Sequence, residues 1–140
     1  MVRVGINGFG RIGRGVFRIL SQRDDVDVRA INDLYENEQL AYLLKYDTVM
    51  GVFRRELRVE GDKLHVDGDA VTLTAHRDPA EIPWGDLGVD VVVEATGVFR
   101  TREPLEKHLA AGAKKVVLTV PAKDEIDCTL VIGVNDDELK

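Results

Sequence analysis

Val2-Arg3-Val4-Gly5-Ile6-Asn7-Gly8-Phe9-Gly10-Arg11-Ile12-Gly13-Arg14 opens the chain with an apolar strand that runs into three glycines, and helical periodicity follows at once. Each glycine has a job in such a layout. Gly8 makes the tight turn, Gly10 leaves backbone room for a pyrophosphate, and Gly13 lets the helix pack close to the strand. The unpaired N–H groups at the helix start then face the phosphates, and the helix dipole favours their negative charge. Val2, Val4 and Ile6 before the glycines, with Ile12, Val16, Ile19 and Leu20 after them, place the pattern between a strand and a helix.

A dinucleotide unit also needs an acid at the tip of its second strand, about 20 residues further on. Val26 to Ile31 reads as that strand, and Asp33 at its tip lies 20 residues after Gly13. A carboxylate there accepts hydrogen bonds from both adenosine ribose hydroxyls and repels a 2′-phosphate, which favours NAD over NADP. The plainer role for Asp33 is to cap a helix beginning near Glu36.

The 140 residues suit one domain with a real core. An apolar content of 44% and a charged content of 31% belong to a globular protein. The net charge of −6, with no basic cluster, argues against a nucleic-acid surface. A single cysteine excludes an internal disulfide and suits a reducing compartment. There is no apolar run of membrane-spanning length and no signal-peptide core, so the expected location is the cytoplasm.

Strand-like and helix-like stretches alternate along the chain. The pattern predicts a strand over 2–6, a helix from Arg11 to Gln22, a second strand, and a helix from Glu36 to Lys45 with Leu40, Leu43 and Leu44 inside. Glu56–Glu60, Lys63–Val66 and Ala70–Ala75 then alternate with period two. They are joined by Gly61-Asp62 and Asp67-Gly68, two-residue hairpin turns. This is an antiparallel excursion whose last strand is placed to re-enter the main sheet as its third. Trp84 reads as a packing residue in a short turn, and Val89 to Glu94 as a strand buried on both faces. Thr101 stands as the cap of a helix over 102–111 with Leu105 and Leu109 inside. Lys115–Val120 and Cys128–Val134 read as two more strands. The fold class is α/β, a doubly wound, mostly parallel sheet with an antiparallel meander insert.

Ligands in such sheets sit at the carboxyl ends of the strands. Those ends carry Asn7 to Gly10, Asn32-Asp33, Arg77, Ala95 to Phe99 and Thr119 to Pro121. Among them Gly97 permits a close backbone approach, Thr96 offers a hydroxyl to a ribose or phosphate, and Phe99 offers a wall for a nicotinamide. Each is equally at home as a turn residue. Arg77 suits an adenine or its ribose, and equally a solvated surface charge. Arg11, in the first helical turn, opposes the helix dipole but suits a bound pyrophosphate.

Ile6-Asn7-Gly8-Phe9-Gly10-Arg11-Ile12-Gly13-Arg14, Ala30-Ile31-Asn32-Asp33-Leu34, Leu44-Lys45-Tyr46-Asp47-Thr48, Glu94-Ala95-Thr96-Gly97-Val98-Phe99 and Pro121-Ala122-Lys123-Asp124 together resemble the amino-terminal domain of phosphorylating glyceraldehyde-3-phosphate dehydrogenases. The resemblance covers essentially the whole chain. It implies a Rossmann-type fold and NAD as cofactor. The contacts it implies are Asn7, Phe9, Gly10, Arg11, Ile12, Asn32, Asp33, Arg77, Thr96, Gly97, Phe99 and Thr119, with Gly8 and Gly13 shaping the loop. Asp33-Leu34 resembles the NAD-using pattern. Val120 and Met50-Gly51 depart from the family, where Ala and His-Gly are common.

The family's nucleophile lies in Ser-Cys-Thr-Thr-Asn, beyond a Gly-Val-Asn like Gly133-Val134-Asn135, and its base and phosphate ligands lie further on. The resemblance therefore implies that residues 1–140 are the NAD-binding domain, with the catalytic domain outside them. It also implies an intact homotetramer that oxidises and phosphorylates glyceraldehyde 3-phosphate through a cysteine adduct, with hydride transfer to NAD. The chain alone is expected to bind NAD without turnover. Cys128 reads as a strand residue with no adjacent base to activate it. His65, His76 and His108 are dispersed, lack metal-ligand spacing and read as surface residues. Two alternatives stand beside this reading: the cofactor domain of an erythrose-4-phosphate dehydrogenase, and a non-catalytic NAD-responsive module.

Overall fold

In the computed structural model, which describes Met1–Lys140, Val2–Asn7 forms β1 and the glycine stretch delivers the chain into α1, Arg11–Leu20. The elements that follow are β2 (Val26–Asn32), α2 (Asn37–Lys45), β3 (Tyr46–Asp47), β4 (Gly51–Val52), β5 (Leu57–Glu60), β6 (Lys63–Val66), β7 (Asp69–Thr74), β8 (Val91–Glu94), α3 (Arg102–Ala110) and β9 (Lys115–Leu118). Seven strands make one sheet in the order β5-β6-β7-β2-β1-β8-β9. β7, β2, β1, β8 and β9 pair in parallel, while β5, β6 and β7 form the antiparallel meander. β7 thus serves both as the last strand of the meander and as the third strand of the parallel sheet. The chain moves outward from β1 to β2 and β7, then returns to add β8 and β9 on the other side of β1. That reversal opens a crevice at the carboxyl ends of β1 and β8.

Both predicted hairpins close with two-residue turns, pairing Glu60 with Lys63 and Val66 with Asp69. Asp67 and Gly68 both have positive φ, as the twist-compatible turn requires. α1 and α2 cover one face, where Phe17, Leu40 and Leu44 join Val4, Ile6, Ile31, Leu73 and Val93. The opposite face packs Ala30, Val92, Ile82 and Ala113 around Trp84, which is fully buried just after a short turn of helix at Pro79–Glu81. Arg18 is buried between α1 and the end of α2. It donates to the carbonyls of Leu44 (2.7 Å) and Gly51 (2.8 Å), and its guanidinium lies over the Phe53 ring.

Two carboxylates pin the periphery. Asp90 takes Arg3 Nε at 2.9 Å, Arg3 Nη2 at 3.0 Å and Lys114 Nζ at 2.8 Å, tying the amino ends of β1 and β8 together. These partners, Arg3 first, hold its carboxyl well below the usual range. Asp47 accepts the Met50 and Val49 amides in the turn between β3 and β4, which brings its carboxyl down to about 2. No helix is long and apolar enough to cross a membrane.

Several expectations are corrected. Leu43 and Leu109, expected inside, lie outward, and His108 occupies the inner face of α3 instead; in α1 Phe17 is buried while Ile12 and Ile19 are exposed. His108 is fully buried, so it is not a surface residue. Thr101 stands at the start of α3, but its side chain caps nothing; the Asp124 carboxylate accepts the Arg102 amide at 2.9 Å. Cys128–Val134 is not a strand, and Cys128 sits half-buried in irregular chain. The reason is local. Asn135 accepts the Val131 amide at 2.7 Å and donates to the Thr129 carbonyl at 2.8 Å, taking backbone groups that a sheet would use.

Candidate functional site

At the end of β1, Gly8 adopts φ +94°, and a Cβ there would stand 2.7 Å from the Thr96 amide nitrogen. A Cβ on Gly13 would collide with the Gly8 carbonyl oxygen. These two positions are filled by the protein itself. Gly10 differs: nothing lies within 4 Å of a Cβ built on it. That open side faces a cleft of about 570 Å³ at the carboxyl ends of the strands.

The loop is held by two charged side chains. Asp33 Oδ2 accepts the Phe9 amide at 2.7 Å, and Arg14 Nη1 donates to the Phe9 carbonyl at 3.0 Å. Asp33 Oδ1 accepts the Tyr35 amide at 3.0 Å. Each Asp33 oxygen therefore keeps a further lone pair for a ligand hydroxyl. The first backbone bond of α1 runs from the Arg14 amide to the Gly10 carbonyl, leaving the amides of Arg11, Ile12 and Gly13 without helical acceptors. The helix has neither a side-chain cap nor an acid in its first turn. Arg14 Nε is buried with no partner. Unpaired amides, a cationic first turn and an orphaned guanidinium nitrogen suit an anion. The carboxylate opposite suits a diol. This donor set fits a dinucleotide.

Of the residues singled out from the sequence, Asn7, Gly8, Phe9, Gly10, Asn32, Asp33, Arg77, Thr96 and Phe99 line this cleft. The others do not line it. The Arg11 side chain pairs with Asp47 at 3.0 Å, and Ile12 is exposed. Gly13 lies beneath Gly8, and Gly97 occupies the turn after β8 with φ +74°. Thr119 bonds the Glu94 carbonyl through both its amide and its hydroxyl at 3.2 Å. Ala95 and Val98, within the strand end read from the sequence, also line the cleft, as do Arg14, Leu34, Tyr35, Leu43 and His76, which were not singled out as ligand contacts. Arg14 had a usable signal, since it follows Arg11 by one helical turn. Leu43 had none, because its spacing is that of a core residue.

A family model described as "Glyceraldehyde 3-phosphate dehydrogenase, NAD binding domain" matches residues 2–102. The glyceraldehyde-3-phosphate dehydrogenase of Thermotoga maritima is 55% identical over 142 aligned residues, covering 100% of this chain and 42% of its own length. The enzyme of that name from Geobacillus stearothermophilus is 53% identical, covering 98% of this chain and 41% of its own length. That of Streptomyces coelicolor is 51% identical with the same two coverages, 98% and 41%. The chain spans about two fifths of the length of these relatives.

Proposed function

Since the chain belongs to the glyceraldehyde-3-phosphate dehydrogenase family, as its NAD-binding domain, we propose that the cleft between β1 and β8 is where NAD is held and oriented. In this reading the pyrophosphate rests on the Gly8–Gly10 loop and the amides of Arg11, Ile12 and Gly13, with the Arg14 cation beside it. The adenosine ribose bonds Asp33, and Asn32 and Arg77 flank the adenosine. Asn7, Thr96, Gly97, Phe99 and Thr119 shape the nicotinamide end. NAD supplies the hydride acceptor; the protein supplies binding, orientation and exclusion of water. The relatives' names supply the reaction: oxidation of glyceraldehyde 3-phosphate by the whole protein, to which residues 1–140 bring the cofactor as one domain. Cys128, half-buried with no histidine bonded to it, is no nucleophile in this scheme.

The observation that carries this reading is the pairing of an open, donor-rich helix start with a carboxylate that has lone pairs to spare, across one cleft. Calorimetric titration tests it. NAD should bind more tightly than NADP, and Asp33→Ala should narrow that preference by about tenfold, some 1.4 kcal/mol. An unchanged affinity ratio in the variant would remove Asp33 as the discriminator. The chain mixed with NAD, glyceraldehyde 3-phosphate and phosphate should yield no NADH; measurable NADH would overturn the assignment of turnover to other residues.

A further inference from the structure

Glu94 ends the valine run of β8, yet its side chain is wholly buried. Its Oε1 accepts Asn7 Nδ2 at 2.6 Å and meets His108 Nε2 at 2.9 Å. Its Oε2 accepts the Thr96 amide at 2.9 Å and the Thr96 hydroxyl at 2.6 Å. The direction of this chain is set at its far end. Trp84 Nε1 can only donate, and it donates to His108 Nδ1 at 2.9 Å. The His108 ring proton therefore sits on Nε2 and points at Glu94. Four donors converge on two oxygens, which only the carboxylate form accepts in full.

The network continues across the sheet. Asn7 Oδ1 accepts Asn32 Nδ2 at 2.9 Å, and Asn32 Oδ1 accepts the Thr74 hydroxyl at 2.7 Å and the His76 amide at 2.9 Å. Asn7, Asn32, His76 and Thr96 line the cleft; Glu94, His108 and Trp84 do not. Burying a carboxylate is costly unless its donors offset the lost hydration, and a valine would fill the same strand position without that cost.

We propose that Glu94, kept in one hydrogen-bond direction by His108 and Trp84, is a positioning residue for the cofactor cleft: from beneath, it fixes the Thr96 turn and the Asn7 side chain. It acts directly on the nicotinamide end, through Thr96 and Asn7, and reaches the Asp33 end only through the further Asn7–Asn32 bond. The inference rests on the reading of the cleft as the NAD site, and its test separates the two. NAD and AMP, the latter lacking the nicotinamide half, are titrated into the unaltered chain, Glu94→Gln, His108→Gln and His108→Leu, with thermal unfolding followed in parallel. Glu94→Gln sets an NH₂ against groups that themselves donate, so NAD affinity should fall about tenfold, as for a conflict in a buried charged network, while AMP affinity stays within about twofold. His108→Gln can still accept from Trp84 and donate to Glu94. It should retain NAD affinity within about threefold, whereas His108→Leu, which can do neither, should lose about tenfold.

If His108 were only packing, the leucine variant would bind NAD as well as the glutamine variant or better, and that result overturns the proposal. So does a Glu94→Gln protein whose NAD and AMP affinities fall together or not at all. Should Glu94→Gln fail to fold, the His108 pair decides. Absence of NAD binding by the unaltered chain overturns the reading of the cleft itself, and this inference with it.

Discussion

On the sheet face covered by α1 and α2, Val4, Ile6, Ile31, Leu73 and Val93 meet Phe9, Phe17, Leu40 and Leu44 in one apolar cluster. On the α3 face, Gly5, Ala30 and Val92 of the same strands pack near Trp84, and Asn7, Asn32 and Glu94 form a hydrogen-bond chain that reaches His108. The first face is almost wholly apolar at the sheet itself, with Arg18 bonded to backbone carbonyls at its margin, and gains apolar area at about 25 cal/mol per Å². The second surrenders some of that gain for hydrogen bonds whose directions are set. One face thus carries most of the stability of the fold, and the other shapes what the fold presents at the strand ends.

Phe17→Ala is the largest perturbation of this contrast. Phe17 is 1% exposed and meets Phe9 and Phe53 edge-on. Its removal should cost about 3–5 kcal/mol in urea unfolding, a large part of the stability of a domain this size. A loss below about 1 kcal/mol would break the assignment of stability to that face.

Two alanine substitutions sharpen the contrast within one loop. Gly13→Ala, pressed against the Gly8 carbonyl, should destabilise the chain by about 2–3 kcal/mol through overpacking. Gly10→Ala has open space and an ordinary φ of −75°. Its stability should stay within about 0.5 kcal/mol of the parent, while NAD affinity falls at least tenfold. Equal stability losses at the two positions would show that the loop is scaffold at both.

The smallest effect lies at the amino end of the sheet, away from the cleft. The Asp90 carboxyl is held down by Arg3 and Lys114, so its contribution is present above the usual carboxylate range near pH 4 and is lost as pH falls through the lowered value. Asp90→Asn should therefore be less stable than the parent at pH 7, and their unfolding curves should converge on acidification. NAD affinity at pH 7 should be unchanged. A gap that persists at low pH would mean that Asp90 acts by packing alone.

The parts of this structure legible from residue order are those governed by neighbours in the chain. The strand, glycines and helix at 2–20, both hairpin turns, and the re-entry of β7 all follow from local periodicity and turn chemistry. Asp33 was legible because its spacing from the glycines is a property of one β-α-β unit. The α3 face was not. Glu94 hides in a valine run, and its partners Asn7 and His108 stand 87 and 14 residues away. Leu109 and His108 satisfy helical spacing almost equally well, and only the buried Trp84 indole selects His108. The run 128–134 failed for a related reason: strand propensity is realised by pairing, and Asn135 takes the available backbone groups first.

The most direct measurement of the central claim is backbone amide NMR during titration of this chain with NAD. Saturating shifts should concentrate on Gly8–Gly13, Asp33–Tyr35 and Thr96–Phe99, with Lys115–Leu118 and the meander turns little changed. Saturating shifts confined to other surfaces, or none at Gly10 and Asp33, would contradict it.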